Sequence, residues 1–182
     1  IKIVKKLSLV NNNIVLIGPM GSGKTSIGRE LSKLTNLKFI DIDDEIEKST
    51  GVDIQTIFAH ENEEGFRLRE ANALEKVSSI NNSVISTGGG IVINEKNRKI
   101  IQSLGLVIYL QTNVENILKR ISKDKTRPLI DVEDKKNAIE KIISDRKSYY
   151  EEICILKIKT NNVSKNEVVN KILIEYENYK KN

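Results

Sequence analysis

Ile14-Val15-Leu16-Ile17-Gly18-Pro19-Met20-Gly21-Ser22-Gly23-Lys24-Thr25-Ser26-Ile27-Gly28-Arg29-Glu30-Leu31 is the stretch that decides the fold. Its first four residues form a short apolar run, and its last six carry a helical pattern. Between them Gly18 to Thr25 spell G-x-x-x-x-G-K-[ST], the P-loop signature, in the strand–loop–helix setting that the motif requires. The glycines let the backbone turn its N–H groups inward as a nest for phosphate oxygens at a helix N-terminus. Gly21, Ser22, Gly23, Lys24, Thr25 and Ser26 are the candidate contacts to a nucleotide triphosphate. Lys24 would reach the β- and γ-phosphates, and the Thr25 hydroxyl would bind Mg²⁺.

Outward from this stretch the chain alternates strands and helices. Asn13–Ile17 and Lys38–Asp43 read as strands 1 and 2, with a helix over about 24–35 between them. A short helical segment covers 44–49, and apolar residues recur at helical spacing from Ile54 to Ile80. Ser83–Thr87 reads as strand 3, Leu106–Leu110 as strand 4 and Ile153–Ile158 as strand 5. Helices are expected over 94–103, 113–122, 135–150 and 164–179. Such alternation implies a parallel sheet covered on both faces with right-handed crossovers. Ligands of such sheets sit beyond the carboxyl ends of the strands. Gly18–Thr25, Asp41/Asp43 and Gly88–Gly90 each follow a strand, so all three converge on one rim.

Composition bounds the function classes. The 182 residues are 38% hydrophobic and 30% charged, with no repeat or low-complexity tract, so one domain over 1–182 is expected. No apolar run approaches the ~20 residues that span a bilayer. Ile1–Asn12 carries three lysines but no long apolar core, so neither a secretory leader nor a membrane partner is expected. Cys154 stands alone, which excludes an internal disulfide, fits a reducing cytoplasm and suggests a buried, inert thiol. The net charge of +5 invites a nucleic-acid reading. Scattered lysines mixed with Asp and Glu, and only 4% aromatics, argue against one.

Asp41 and Asp43, two apart at a strand end, would point to opposite faces. One would meet Mg²⁺ and phosphate, the other an acceptor hydroxyl, the two tasks that a phosphoryl-transfer enzyme divides between carboxylates. Three successive glycines, Gly88-Gly89-Gly90, are entropically costly unless backbone N–H groups approach a ligand closely. Arg67 lies in Glu64-Gly65-Phe66-Arg67-Leu68-Arg69-Glu70, where its fork suits a carboxylate and Glu70 could hold it. Arg127-Pro128 falls in a polar connection suited to a closing lid. Arg146 precedes Tyr150 by one helical turn. Taken singly, each arginine reads more often as a surface charge than as a ligand.

The ordered set of these motifs resembles the shikimate kinase family from about Asn13 to about Leu173. It comprises the P-loop; Phe39–Asp43 with Glu45-Ile46-Glu47; Glu64–Arg67 with Glu70; Thr87–Gly90; Arg127-Pro128-Leu129; and Arg146 with Tyr150. The resemblance implies transfer of the γ-phosphoryl group of ATP, with Mg²⁺, to the 3-hydroxyl of shikimate by a cytoplasmic monomer. It implies a three-layer α-β-α P-loop fold with a five-stranded parallel sheet of order 2-3-1-4-5 and a mobile lid over about 122–134. Carried over residue by residue, Asp43 would hold shikimate's hydroxyls and act as base, and Arg67 and Arg146 would bind its carboxylate. The Gly88–Gly90 backbone would contact the substrate, Gly89 above all. Asp41 would join Thr25 in the Mg²⁺ shell, and Lys24 and Arg127 would stabilise the transferring phosphate. Arg120 matches an arginine near the adenine. The chain departs from the family pattern at Ile42, at Thr160-Asn161-Asn162 and in the long lead-in before Asn13.

Two other readings compete. A sugar-acid kinase such as a gluconate kinase would share the P-loop but need not carry two carboxylate-binding arginines and a triple glycine. A GTPase switch would want an N-K-x-D guanine signature, which is absent from the sequence.

Overall fold

The computed structural model describes residues 12–121 and 135–181. Its sheet is made of β1 (Asn13–Ile17), β2 (Lys38–Asp41), β3 (Ser83–Ser86), β4 (Gly105–Gln111) and β5 (Leu156–Lys159). The strands lie in the order β2-β3-β1-β4-β5, and every pair is parallel. The connecting helices are α1 (Lys24–Thr35), α2 (Ile42–Thr50), α3 (Ile54–Val77), α4 (Glu95–Ser103), α5 (Val114–Ile121), α6 (Lys135–Ile153) and α7 (Lys165–Lys181). This is the expected three-layer fold. The proposed lid over 122–134, with Arg127, lies outside the described residues, as does the lead-in before Asn12. Among the described residues no helix is long and apolar enough to cross a membrane.

Strand pleat divides the core in two. Ile14 and Leu16 of β1 face Ile27 and Leu31 of α1 and Val168, Val169 and Ile172 of α7. Val15 and Ile17 face the other way, onto a layer containing Ile46 of α2, Leu74 of α3, Ile101 of α4 and Tyr150 of α6. With both faces covered, β1 is apolar without alternation after its first residue, as strands inside parallel sheets are. That first residue, Asn13, is a fully buried amide whose partners explain it. Its Nδ2 donates to Ile80 O at 2.8 Å and Leu104 O at 3.0 Å, and its Oδ1 accepts from Ser83 N at 2.9 Å. One side chain thus fastens the amino ends of three neighbouring strands.

Several boundaries differ from the sequence reading. β2 stops at Asp41 because the Asp41 carboxylate accepts from Asp43 N and caps α2, which puts Asp43 on a helix. α6 runs on to Ile153, so β5 begins at Leu156. The helical pattern after Ile54 ends at Val77 and is broken inside, where Asn62 adopts φ 59°, ψ −171°. That conformation is nearly confined to glycine and costs about 1–3 kcal/mol in other residues. Cys154 is only half-buried, and burial pushes its thiol above the ordinary value, which agrees with an unreactive sulfur.

Candidate active site

The rim at the carboxyl ends of the strands begins with the loop after β1. Gly23 takes φ 98° as the N-cap of α1 and offers no side chain to cap it, so the first-turn N–H groups keep their binding capacity. Lys24 is buried, and its Nζ donates to Gly18 O at 2.8 Å and Pro19 O at 2.9 Å. This holds the ammonium across the loop. Thr25 Oγ1 donates to Asp41 Oδ2 at 2.9 Å, which pairs two hard oxygen donors at the head of α1. Ser26 is exposed on the same turn. Ser22 is fully buried with its Oγ unpartnered among the described residues. On the outer side Arg120 of α5 donates to Gly21 O at 2.6 Å, and Ile117 packs against Gly21.

A cavity of about 560 Å³ opens beside this loop. Asp43, Arg67, Gly88, Gly89, Gly90 and Arg146 all line it. The wall and floor are Met20, Ile54, Phe58 and Phe66. Every sequence-predicted acceptor residue is therefore brought to one place, although they come from α2, α3, the β3–α4 loop and α6. Asp41 and Asp43 do divide, as expected, one toward Thr25 and one toward the cavity. The division comes from the cap of α2 and not from strand pleat.

The triple glycine is explained by what presses on it. A Cβ on Gly88 would overlap Glu70 Oε1 and stand 3.2 Å from Asp43 Oδ1. On Gly89 it would stand 3.1 Å from the P-loop nitrogen of Met20, and on Gly90 it would overlap the Arg67 guanidinium. The loop is thus the shared wall between the phosphate nest and the cavity. It is tied to β1 by Thr87, whose N and Oγ1 both donate to Leu16 O, at 3.2 and 3.0 Å.

Arg67 is held by Glu70 through Nη1 at 2.8 Å and by Glu63 through Nη2 at 2.8 Å and Nε at 3.2 Å. A guanidinium has five N–H donors, so two stay available to a ligand. Burial opposes the Arg67 charge, yet Glu70 and Glu63 together raise its pKa. Glu70 itself is wholly buried, and desolvation pushes its carboxyl up to about 7 against the pull of Arg67. The nearby Asp43 carboxylate pushes the same way. Between about pH 4.5 and 7 the folded chain therefore keeps a proton that the unfolded chain has lost. Stability falls as pH rises through that window, by about 3 kcal/mol at most. Urea midpoints at pH 5 and pH 8 should differ more for the native chain than for Glu70→Gln; equal pH dependence would contradict this.

Sequence reasoning did not find Glu63, the contribution of Tyr150 or that of Asn161. Tyr150 is buried, stacks on Tyr109 with centroids 4.9 Å apart and donates from its hydroxyl to Gly89 O. Asn161 Oδ1 accepts from Thr112 Oγ1 at 3.2 Å, Asn113 N at 2.9 Å and Asn116 Nδ2 at 3.3 Å, fixing the start of the helix that carries Arg120. The i+4 spacing of Glu63 and Arg67 was a usable signal; partners far apart in sequence leave none.

The chemistry available is a nest for phosphates, a buried ammonium, two oxygen donors and a cavity lined by two arginines and by several carboxylates, Asp43 among them. No cluster of three or more metal-ligating side chains exists among the described residues. The Thr25–Asp41 pair suits Mg²⁺, which binds through few protein ligands and completes its shell with phosphate and water.

Comparison with known proteins agrees with this geometry. The family profile described as Shikimate kinase matches residues 20–177. A shikimate kinase of Thioalkalivibrio sulfidiphilus is 45% identical over 161 residues, covering 88% of this chain and 85% of its own. One from Francisella tularensis subsp. holarctica is 44% identical, covering 88% and 92%. The solved shikimate kinase of Acinetobacter baumannii, in complex with shikimate, superposes with a TM-score of 0.86 at 40% identity, covering 91% of this chain and 92% of that one. Profile, sequence and backbone meet on the same residues, and the chain belongs to the shikimate kinase family.

Proposed function

We propose that this chain transfers the γ-phosphoryl group of ATP to the 3-hydroxyl of shikimate, releasing ADP and shikimate 3-phosphate. The observation that carries the reading is the shared glycine wall. Gly89 packs directly on the P-loop, while Asp43, Arg67 and Arg146 line the cavity on its other side. The cavity also adjoins the P-loop directly at Met20, so a phosphate in the nest and an acceptor of shikimate's size sit side by side along this wall, the proximity that phosphoryl transfer needs.

In this mechanism the N–H nest and Lys24 bind the triphosphate, and Lys24 offsets charge on the transferring group. Thr25 and Asp41 would hold Mg²⁺, which would supply charge neutralisation on the phosphates. Arg67 and Arg146 fork the acceptor's carboxylate and fix its ring. Asp43 accepts a hydrogen bond from the acceptor hydroxyl and takes its proton as transfer proceeds. Arg120, held to the P-loop through Gly21 O, would flank the nucleotide. Arg127, which lies outside the described residues, would add positive charge around the phosphoryl group. One domain over 1–182 is supported by the two core layers, which share a single sheet. A cytoplasmic setting is supported by the lone, unpaired thiol.

A coupled ADP-release assay with Mg-ATP tests the reading, comparing shikimate, gluconate and no acceptor. Stimulation by shikimate alone is expected; stimulation by gluconate alone would replace the acceptor. Arg146→Ala should raise the KM for shikimate about 10- to 100-fold, the weight of a charge-assisted contact, and leave that for ATP within a few-fold. Equal effects on both would remove Arg146 from the acceptor site.

A further inference from the structure

Tyr150 is fully buried, yet it carries a polar group into the wall of the cavity. Its hydroxyl donates to Gly89 O across 61 residues of sequence. Arg146, one helical turn earlier on α6, lines the same cavity as Gly89, and its positive charge acts on the Tyr150 phenol. The ring is fixed from behind by its stack on Tyr109 of β4, and β4 pairs with β1 in register Ile17↔Tyr109. Tyr150 therefore links the glycine wall, through its hydroxyl, and β4, through its ring, to the helix that carries Arg146. Burial raises its pKa, so the hydroxyl keeps its proton and stays a donor to Gly89 across the working pH range.

We propose that Tyr150 is a positioning residue for the acceptor: its hydroxyl fixes the Gly89 peptide to the helix that carries Arg146, so that wall and fork present one preformed surface to the substrate. The inference rests on the reading of this cavity as the shikimate site. The Tyr150 hydroxyl goes to Gly89 O, on the cavity side of the wall, and the Lys24 ammonium is held by the P-loop carbonyls of Gly18 and Pro19. Loss of the hydroxyl should therefore be felt in acceptor affinity and not in nucleotide affinity. Pre-organisation works in this way because a loop or side chain already held in its bound pose does not have to be ordered on binding.

The test is a double-mutant cycle between Tyr150→Phe and Arg146→Ala, read as KM for shikimate, KM for ATP and kcat. Phenylalanine keeps the ring and its stack, so the core stays filled, and nucleotide binding reports the folded fraction of each variant. Tyr109→Phe removes the hydroxyl of the stacked neighbour and serves as control. Tyr150→Phe should raise the KM for shikimate about five- to tenfold, as loss of one buried hydrogen bond does, with the KM for ATP unchanged. In the Arg146→Ala background the same change should cost clearly less, because the two residues act as a unit. An unchanged KM for shikimate in Tyr150→Phe would overturn the proposal while leaving the site intact. So would equal losses for shikimate and ATP, or strict additivity with Arg146→Ala. If Arg146→Ala itself spared the KM for shikimate, the reading of the cavity would fail and the role of Tyr150 with it.

Discussion

Lys24→Ala should lower kcat about 10³-fold or more, the loss found when a preorganised charge on a developing anion is removed. The effect should far exceed any loss of stability. Lys24 is buried across its own loop, and its Nζ donates to two carbonyl oxygens of that loop. Truncation leaves those carbonyls less satisfied, a cost of about 1–3 kcal/mol, and takes away the cation that faces the nest. Single-turnover rates and a urea titration separate the two. Near-normal turnover in a folded variant would remove the P-loop lysine from the mechanism.

Asp43→Asn should lower kcat about 10²- to 10⁴-fold with ATP affinity little changed, since a general base is lost while the nest is untouched. Asparagine keeps the size of the side chain at the start of α2, and the cap of that helix belongs to Asp41. The fold should therefore survive. The measurement is kcat together with direct titration of nucleotide. A variant that weakened ATP binding and spared kcat would show that Asp41 and Asp43 have their roles exchanged.

These predictions draw on parts of the site that differ in how readily the sequence reveals them. The P-loop could be read directly because its chemistry is local: glycines, a lysine and a threonine at fixed spacing between a strand and a helix. The parallel sheet followed from alternation, and β1 was unmistakable because every residue after Asn13 is apolar. The helical position of Asp43 was hidden because a D-x-D at a strand end and a capped helix start use the same residues. The break at Asn62 was hidden as well, since apolar spacing continues across it from Ile57 to Phe66.

Convergence was the hardest thing to read. Arg67 and Arg146 reach one cavity from α3 and α6, and each alone is indistinguishable from a surface charge until the sheet brings the two helices together. The resemblance to shikimate kinases supplied that convergence before any geometry did. Glu70 illustrates the remainder. Its i+3 spacing to Arg67 suggested an ion pair, but its complete burial and its closeness to Asp43 depend on the glycine wall that presses against it.

The central claim is the bond that is made, and product analysis tests it most directly. The chain should be incubated with Mg-ATP and shikimate and the product followed by ¹H and ³¹P nuclear magnetic resonance. A single new phosphate ester coupled to the proton on carbon 3, formed one-for-one with ADP, is the predicted result. ADP formed without a phosphorylated shikimate, or an ester at another hydroxyl, would contradict it.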